Sequence, residues 1–238
     1  MVGIGPGSSH EMSQRALDAL RGSEIIIGYR LYTDLIKDVV PDKHIIASAM
    51  RRETERAELA ISEALAGKTV SIISSGDPGV YGMAGLVLEL ADKQDKHLPV
   101  EIIPGIPSAN AAAAVLGAPL MHDYVVISLS DLLTPWETIK KRIICAARGD
   151  FVIVIYNPKS SQRDWQIEKT AEIILRYKSP DTPVGIVKNV SREGESVVIT
   201  TLGKMTTCPI DMTTIILIGN STTFLYHNYM VTRRGYHL

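Results

Sequence analysis

Five short stretches rich in glycine, proline, serine or asparagine hold the residues that could do chemistry: "GIGPG" at 3–7, "SSGDPG" at 74–79, "PGIPSA" at 104–109, "YNPKSS" at 156–161 and "KNVSREG" at 188–194. The second carries Asp77 between two glycines, directly after the apolar run "TVSIIS". A carboxylate there would repel a phosphate, but it would accept hydrogen bonds from hydroxyls or an ammonium group. The first stretch has Ser8 where a dinucleotide fingerprint needs its third glycine, and Pro6 stiffens it. That weakens, without removing, the reading as a nicotinamide-dependent oxidoreductase. Basic residues fall on the same segments: Arg30, Arg51, Arg52, Lys159 and Lys188 are cations suited to forked or point contacts with carboxylates, and they read equally as solvated surface charge. His122 beside Asp123 is a candidate acid/base pair, with Asp77 a third candidate. Adjacent strand residues point to opposite faces, however, so a structural role for the pair stands beside the chemical one. The two cysteines form no CxxC and the six histidines no HxH or HExxH spacing, so no protein-held metal is expected. No GxSxG elbow marks a covalent nucleophile.

Strand-to-helix alternation must position these stretches. "VGI", "EIIIG", "TVSIIS" and "PVEIIP" read as buried strands. Between them Met12, Ala16, Ala19 and Leu20 form one helical stripe, with Ser8 and Glu11 at capping-box spacing, and Ala57, Ala60, Ile61, Ala64 and Leu65 form another. Val80, Ala84, Val87, Leu88 and Ala91 mark a third helix, and "SANAAAAVLG" a small-residue helix able to pack closely. The expectation is a mostly parallel, Rossmann-like sheet with flanking helices over residues 1–117. A Gly-Pro turn in "GAPLMHDY" then precedes a fresh strand, "YVVISL", which sets the domain boundary between 117 and 118. Thr134, Pro135 and Glu137 look like the start of the next helix, and "FVIVIY" a strand buried on both sides. "PVGIVKNV", "ESVVITTL" and "TTIILIGN" follow with only a few turns between them. Strands so joined pair antiparallel, so residues 118–238 should form a mixed sheet. Ligands of open α/β sheets lie beyond the carboxyl ends of the strands, so the five stretches could line one cleft between two α/β domains.

The chain of 238 residues is long enough for two such domains, and its net charge of −1 lacks the basic excess of a nucleic-acid binder. No basic leader or membrane-length apolar run is evident, so a cytoplasmic location with no membrane partner is expected.

"VGIGPG", "SEIIIGY", "SSGDPGVYGMAGLVLE", "PGIPSANAAAAVLGAPLMHDYVVISLSDLLTPW", "YNPKS" and "VGIVKNVSREGESVVITTL" together resemble the tetrapyrrole methyltransferases of cobalamin biosynthesis, nearly end to end. Within that family, "GDPGVYGMAGLVLE" and "GAPLMHDYVVISLSDLLTPW" are most similar to members acting at C17 of precorrin-3B or cobalt-precorrin-3. The resemblance implies S-adenosylmethionine as methyl donor, S-adenosylhomocysteine as product, ring contraction coupled to methylation, a tetrapyrrole substrate and a homodimer. The oxygen-independent, cobalt-bearing route is favoured. By motif match it places the cofactor against Gly76, Asp77, Val80, Ser108, Ala109, Tyr156, Asn189 and Thr214. Pro6 falls on the substrate side, and the acetate and propionate arms of the substrate give Arg30, Arg51, Arg52, Lys159 and Lys188 a purpose. A sister enzyme acting on another carbon and a non-enzymatic corrinoid carrier are the remaining alternatives.

Overall fold

The computed structural model describes residues 1–94 and 98–237. The chain divides into two compact units, Met1–Ser108 and Ala109–Leu238. The boundary expected after residue 117 lies one helix further along the chain than this division.

In the first unit, β1 (Val2–Gly3), α1 (Gln14–Gly22), β2 (Ile25–Tyr29), α2 (Arg30–Asp34), β3 (His44–Ser48), α3 (Glu53–Leu65), β4 (Val70–Ser74) and α4 (Ala84–Lys93) follow in order. The strands form a sheet in the order β1-β4-β2-β3, with every pair parallel. Alternation along the strands explains the continuous apolar runs. Ile25, Ile27 and Ile72 pack with Ala57, Ala60, Ile61 and Val87 on one face, while Ile26 and Ile73 pack with Val2, Ala16 and Leu20 on the other. Each isoleucine buried in this way contributes about 1.5–3 kcal/mol relative to exposure.

Three details differ from the sequence expectation. Ser8 caps only a single 3-10 turn, accepting from the His10 amide at 3.2 Å, and α1 begins later, where Ser13 accepts from the Ala16 amide at 3.1 Å. Met12 is extended between the two, which separates the turn from the helix. "PVEIIP" contributes one parallel bridge, Val2 to Ile103, because the prolines at 99 and 104 lack the amides a longer ladder would use. β3 has no clear signal: it is a sheet-edge strand of half-buried and exposed residues and shows no buried apolar run.

The second unit is built from α5 (Ser108–Leu116, of which Ala109 onward belongs here), β5 (Gly117–Ala118), β6 (Tyr124–Ser128), α6 (Trp136–Arg148), β7 (Val152–Tyr156), α7 (Trp165–Ile174), β8 (Pro183–Lys188), β9 (Ser196–Thr201), β10 (Thr214–Ile218), β11 (Thr223–Tyr226) and β12 (Tyr229–Thr232). Five strands lie in the order β6-β7-β10-β8-β9; β6 and β7 are parallel and every other pair is antiparallel. The mixed sheet is therefore as expected. A smaller sheet runs β11-β12-β5. Helices α6 and α7 cover one face through Ile139, Ile143, Ile167 and Ile174 against Ile153, Ile155, Ile186 and Ile216. The other face takes α5, whose Ala109, Ala112 and Leu116 meet Val154, Val187 and Leu217. The alanine run lets that helix lie close, and Gly185 leaves room for Leu116: a Cβ there would stand 2.3 Å from the leucine Cδ1. Thr134 does not cap α6; Pro135 holds the cap position, with no side-chain hydrogen bond.

Candidate functional site

In the first unit three strand-end turns meet through their backbones. The amides of Gly3, Ile4 and Gly5 donate to the carbonyls of Ile103 (2.9 Å), Ser74 (3.0 Å) and Gly76 (3.2 Å), and the Gly76 amide returns a bond to the Gly5 carbonyl at 2.7 Å. The approach is close enough to exclude any side chain. A Cβ on Gly105 would stand 2.1 Å from the Gly76 carbonyl oxygen, and one on Gly3 would stand 2.6 Å from the Gly105 nitrogen. The opening turn thus spends its Gly3, Ile4 and Gly5 amides on the neighbouring turns, so these three cannot wrap a pyrophosphate.

Asp77 stands at this junction. Its Oδ1 accepts from the Gly79 amide at 2.8 Å and its Oδ2 from the Gly105 amide at 3.1 Å, so the carboxylate joins the turn after β4 to the "PGIP" turn. It is half-buried rather than fully buried, and two of its roughly four acceptor positions remain for another donor. Gly76 is buried with φ +65°, and Val80 is 37% exposed beside it. Pro6 is buried in the opening turn.

In the second unit the carboxyl ends of β6, β7 and β8 share one sheet edge with the start of β10, as the register of Lys188 with Thr214 requires. The Tyr156 hydroxyl accepts from the Ala109 amide at 2.9 Å, which ties the end of β7 to the first turn of α5. Asn157 and Asn189 both turn the chain with φ +50°, and Asn157 Nδ2 donates to Ser128 Oγ at 2.9 Å. Lys188 Nζ is 2.6 Å from Asp211 Oδ2, and Thr214, buried, donates to Asp211 Oδ1 at 3.0 Å. Partial burial pushes the Asp211 carboxyl up, but the bonds from Lys188, Thr213 and Thr214 outweigh it and bring the pKa down to about 2.

The pattern of the tetrapyrrole (corrin/porphyrin) methylases matches residues 1–206. The chain belongs to that family. The methylase is 50% identical to a Salmonella typhimurium protein named "Probable cobalt-factor III C(17)-methyltransferase", over 100% of this chain and 99% of that one. Its fold matches the crystal structure of the methyltransferase CobJ with a TM-score of 0.90 and 33% identity, covering 98% of each chain. It also matches, by fold alone, the uroporphyrin-III C-methyl transferase of Thermus thermophilus complexed with S-adenyl homocysteine, at a TM-score of 0.71 and 21% identity over 92% of this chain and 95% of that one.

Within the methylase, the structure brings Gly76, Asp77 and Val80 together with the Gly105 turn that leads to Ser108, and it joins Ala109 to Tyr156 and Thr214 to Lys188. Arg30, Arg51 and Arg52 are exposed, and Lys159 is half-buried after the end of β7. His122 and Asp123 do not join these groups. They precede β6 at the opposite edge of the second sheet, where the Asp123 carbonyl accepts from Val152, and His122 Nδ1 accepts from the Asp123 amide at 2.8 Å. Their neighbourhood in sequence comes from a turn entering a strand, away from the carboxyl ends. The sequence reading missed Gly3 and Gly105, whose role is contact between backbones, and Asp211, which takes Lys188 from across the β8–β10 ladder as well as Thr213 and Thr214 beside it. Among the described residues, no group of three or more His, Cys, Asp or Glu is placed to hold a metal ion, and no helix is long and apolar enough to cross a membrane.

Proposed function

We propose that this methylase transfers a methyl group from S-adenosylmethionine to C17 of cobalt-factor III or of precorrin-3B, with contraction of the macrocycle, in cobalamin biosynthesis. The observation that carries the reading is the 50% identity, over the whole of both chains, to the Salmonella typhimurium protein of that name. The Thermus thermophilus neighbour complexed with S-adenyl homocysteine supports the choice of donor.

The residues fit such a donor. Its ribose hydroxyls and ammonium need acceptors and it brings no phosphate, which matches a strand-end turn with a half-buried carboxylate and spare lone pairs at Asp77. Gly76, Asp77, Val80 and Ser108 of the first unit, and Ala109, Tyr156, Asn189 and Thr214 of the second, are the residues proposed to hold it. Bound there, the sulfonium supplies an electrophilic methyl group. The chain's part is to fix the donor's orientation through backbone turns that are themselves locked together, and to exclude water from the acceptor carbon; alignment of this kind supplies much of a methyl-transfer barrier without a covalent nucleophile. The arginines at the carboxyl edge of the first sheet are proposed to hold the carboxylate arms of the acceptor, in a protein that works as a cytoplasmic homodimer on the oxygen-independent route.

Incubating the protein with S-adenosylmethionine and cobalt-factor III without oxygen should give S-adenosylhomocysteine and a corrinoid heavier by one methyl, with a changed visible spectrum. Absence of both products overturns the reading. A parallel incubation with precorrin-3B separates the two routes, and sedimentation gives the oligomeric state.

A further inference from the structure

Tyr29 and Ser48 are level in the β2–β3 ladder, so the residues that follow them, Arg30 and Leu31 at the start of α2 and Ala49 and Met50 after β3, leave the sheet side by side. Together with Tyr29 they line a cavity of about 340 Å³. That volume is at the lower end of small-molecule sites, sufficient for one edge of a large ligand. Leu31 is 51% exposed and Met50 45%, so two large apolar side chains flank the cavity uncovered.

Charge completes the picture. Arg30 is exposed, and among the described residues its guanidinium makes no ion pair; Arg51 and Arg52 follow Met50 directly, Arg52 being held to Glu55 at 3.1 Å. By contrast Arg56 is buried on Glu53 and Ser48, and Lys188 is committed to Asp211. Of the cations the sequence reading assigned to substrate, Arg30 is the one that lines this apolar cavity.

The position follows from the same sheet. Ile27 is level with Ile72, so the ends of β2 and β4 stand at one height, and neighbouring strands are about 4.8 Å apart. The ends of β2 and β3 that line the cavity therefore stand about 5 and 10 Å from the end of β4, the strand that the Asp77 turn follows. An apolar floor with a cationic rim suits a flat ring system edged with carboxylates, and the distance suits a ring that reaches from the cavity to the methyl donor.

We infer that the cavity between the ends of β2 and β3, walled by Leu31 and Met50 with Arg30 on its rim, seats one edge of the tetrapyrrole acceptor. This deepens the proposed reaction and rests on its choice of substrate. The test compares Leu31→Asp, Met50→Glu and Arg30→Gln with wild type and with Leu65→Asp, which places the same charge at an exposed site on α3. Binding of cobalt-factor III is read from its visible absorption, and binding of S-adenosylhomocysteine by calorimetry. The two acidic variants at the cavity should lose at least tenfold in ring affinity and Arg30→Gln several-fold, with S-adenosylhomocysteine affinity within twofold of wild type and Leu65→Asp unaffected. Ring affinity within twofold of wild type in both acidic variants overturns the assignment, as does an equal loss in Leu65→Asp or a parallel loss of S-adenosylhomocysteine. Methyl transfer by wild type is scored separately. A protein that binds the ring without methylating it overturns the reaction but leaves the cavity to be judged on the variants; one that does not bind the ring overturns both.

Discussion

Replacing Asp77 by alanine separates two roles that one carboxylate holds. Its bonds to the Gly79 and Gly105 amides, at 2.8 and 3.1 Å, are charge-assisted and join two turns. Such bonds contribute about 1.5–3 kcal/mol each when their partners are buried. Here Gly79 is exposed and Gly105 half-buried, so water replaces part of what is lost, and the pair contributes about 2–3 kcal/mol. For a chain of this length each kcal/mol moves the melting temperature by about 2–4 °C, so Asp77→Ala should melt roughly 5–10 °C below wild type. If the remaining lone pairs also accept from the bound donor, a further charged hydrogen bond is lost on binding, weakening S-adenosylhomocysteine by about 10- to 150-fold. Asp77→Asn keeps one acceptor oxygen and should lose about half of each effect. Scanning calorimetry and titration calorimetry on the same preparations read the two roles apart. Unchanged affinity in Asp77→Ala would show the carboxylate to be a staple alone, and an unchanged melting temperature would refute the staple.

Gly105→Ala places a methyl 2.1 Å from a backbone oxygen that has no side-chain freedom to retreat, so it should destabilise the first unit by about 3 kcal/mol and open the turns; melting within 2 °C of wild type, by differential scanning calorimetry, refutes the close approach. The Asp211 carboxyl, at about 2 in the folded chain against an ordinary 3.8, should contribute stability that is complete above about pH 4 and lost as pH falls through 2. Because Asp211 and Lys188 are 45% and 40% exposed, about 1 kcal/mol is expected, less than the full shift implies. Between pH 6 and pH 2, urea unfolding should show a loss about 1 kcal/mol smaller in Asp211→Asn than in wild type, since Asp150 and Glu101 titrate in both; equal losses in the two proteins refute it.

The sheets were legible wherever burial on both faces writes an apolar run, as at β2, β4, β7 and β10. Helices α3 and α4 were legible from their stripes. β3 was not, because an edge strand half open to water has no such run. The start of α1 was misplaced because Ser8 and Ser13 both cap a turn, and only the second leads into a helix. At the site, Gly76 and Asp77 announced themselves as a Gly-Asp-Pro turn after a strand. The partnership of Asp77 with the Gly105 amide could not be read from either segment alone, nor could that of Asp211 with Lys188, since each depends on which strand ends become neighbours. His122 and Asp123 show the converse: adjacency in sequence suggested chemistry, and strand direction sent both to the far edge.

The junction of Gly3, Gly76 and Gly105 draws its members from the start, the middle and the finish of the first unit. No local segment can rehearse that geometry, so the chain must close its longest loops before any one of these turns holds its shape. A nascent polypeptide thus completes this junction late, only once residue 105 has arrived.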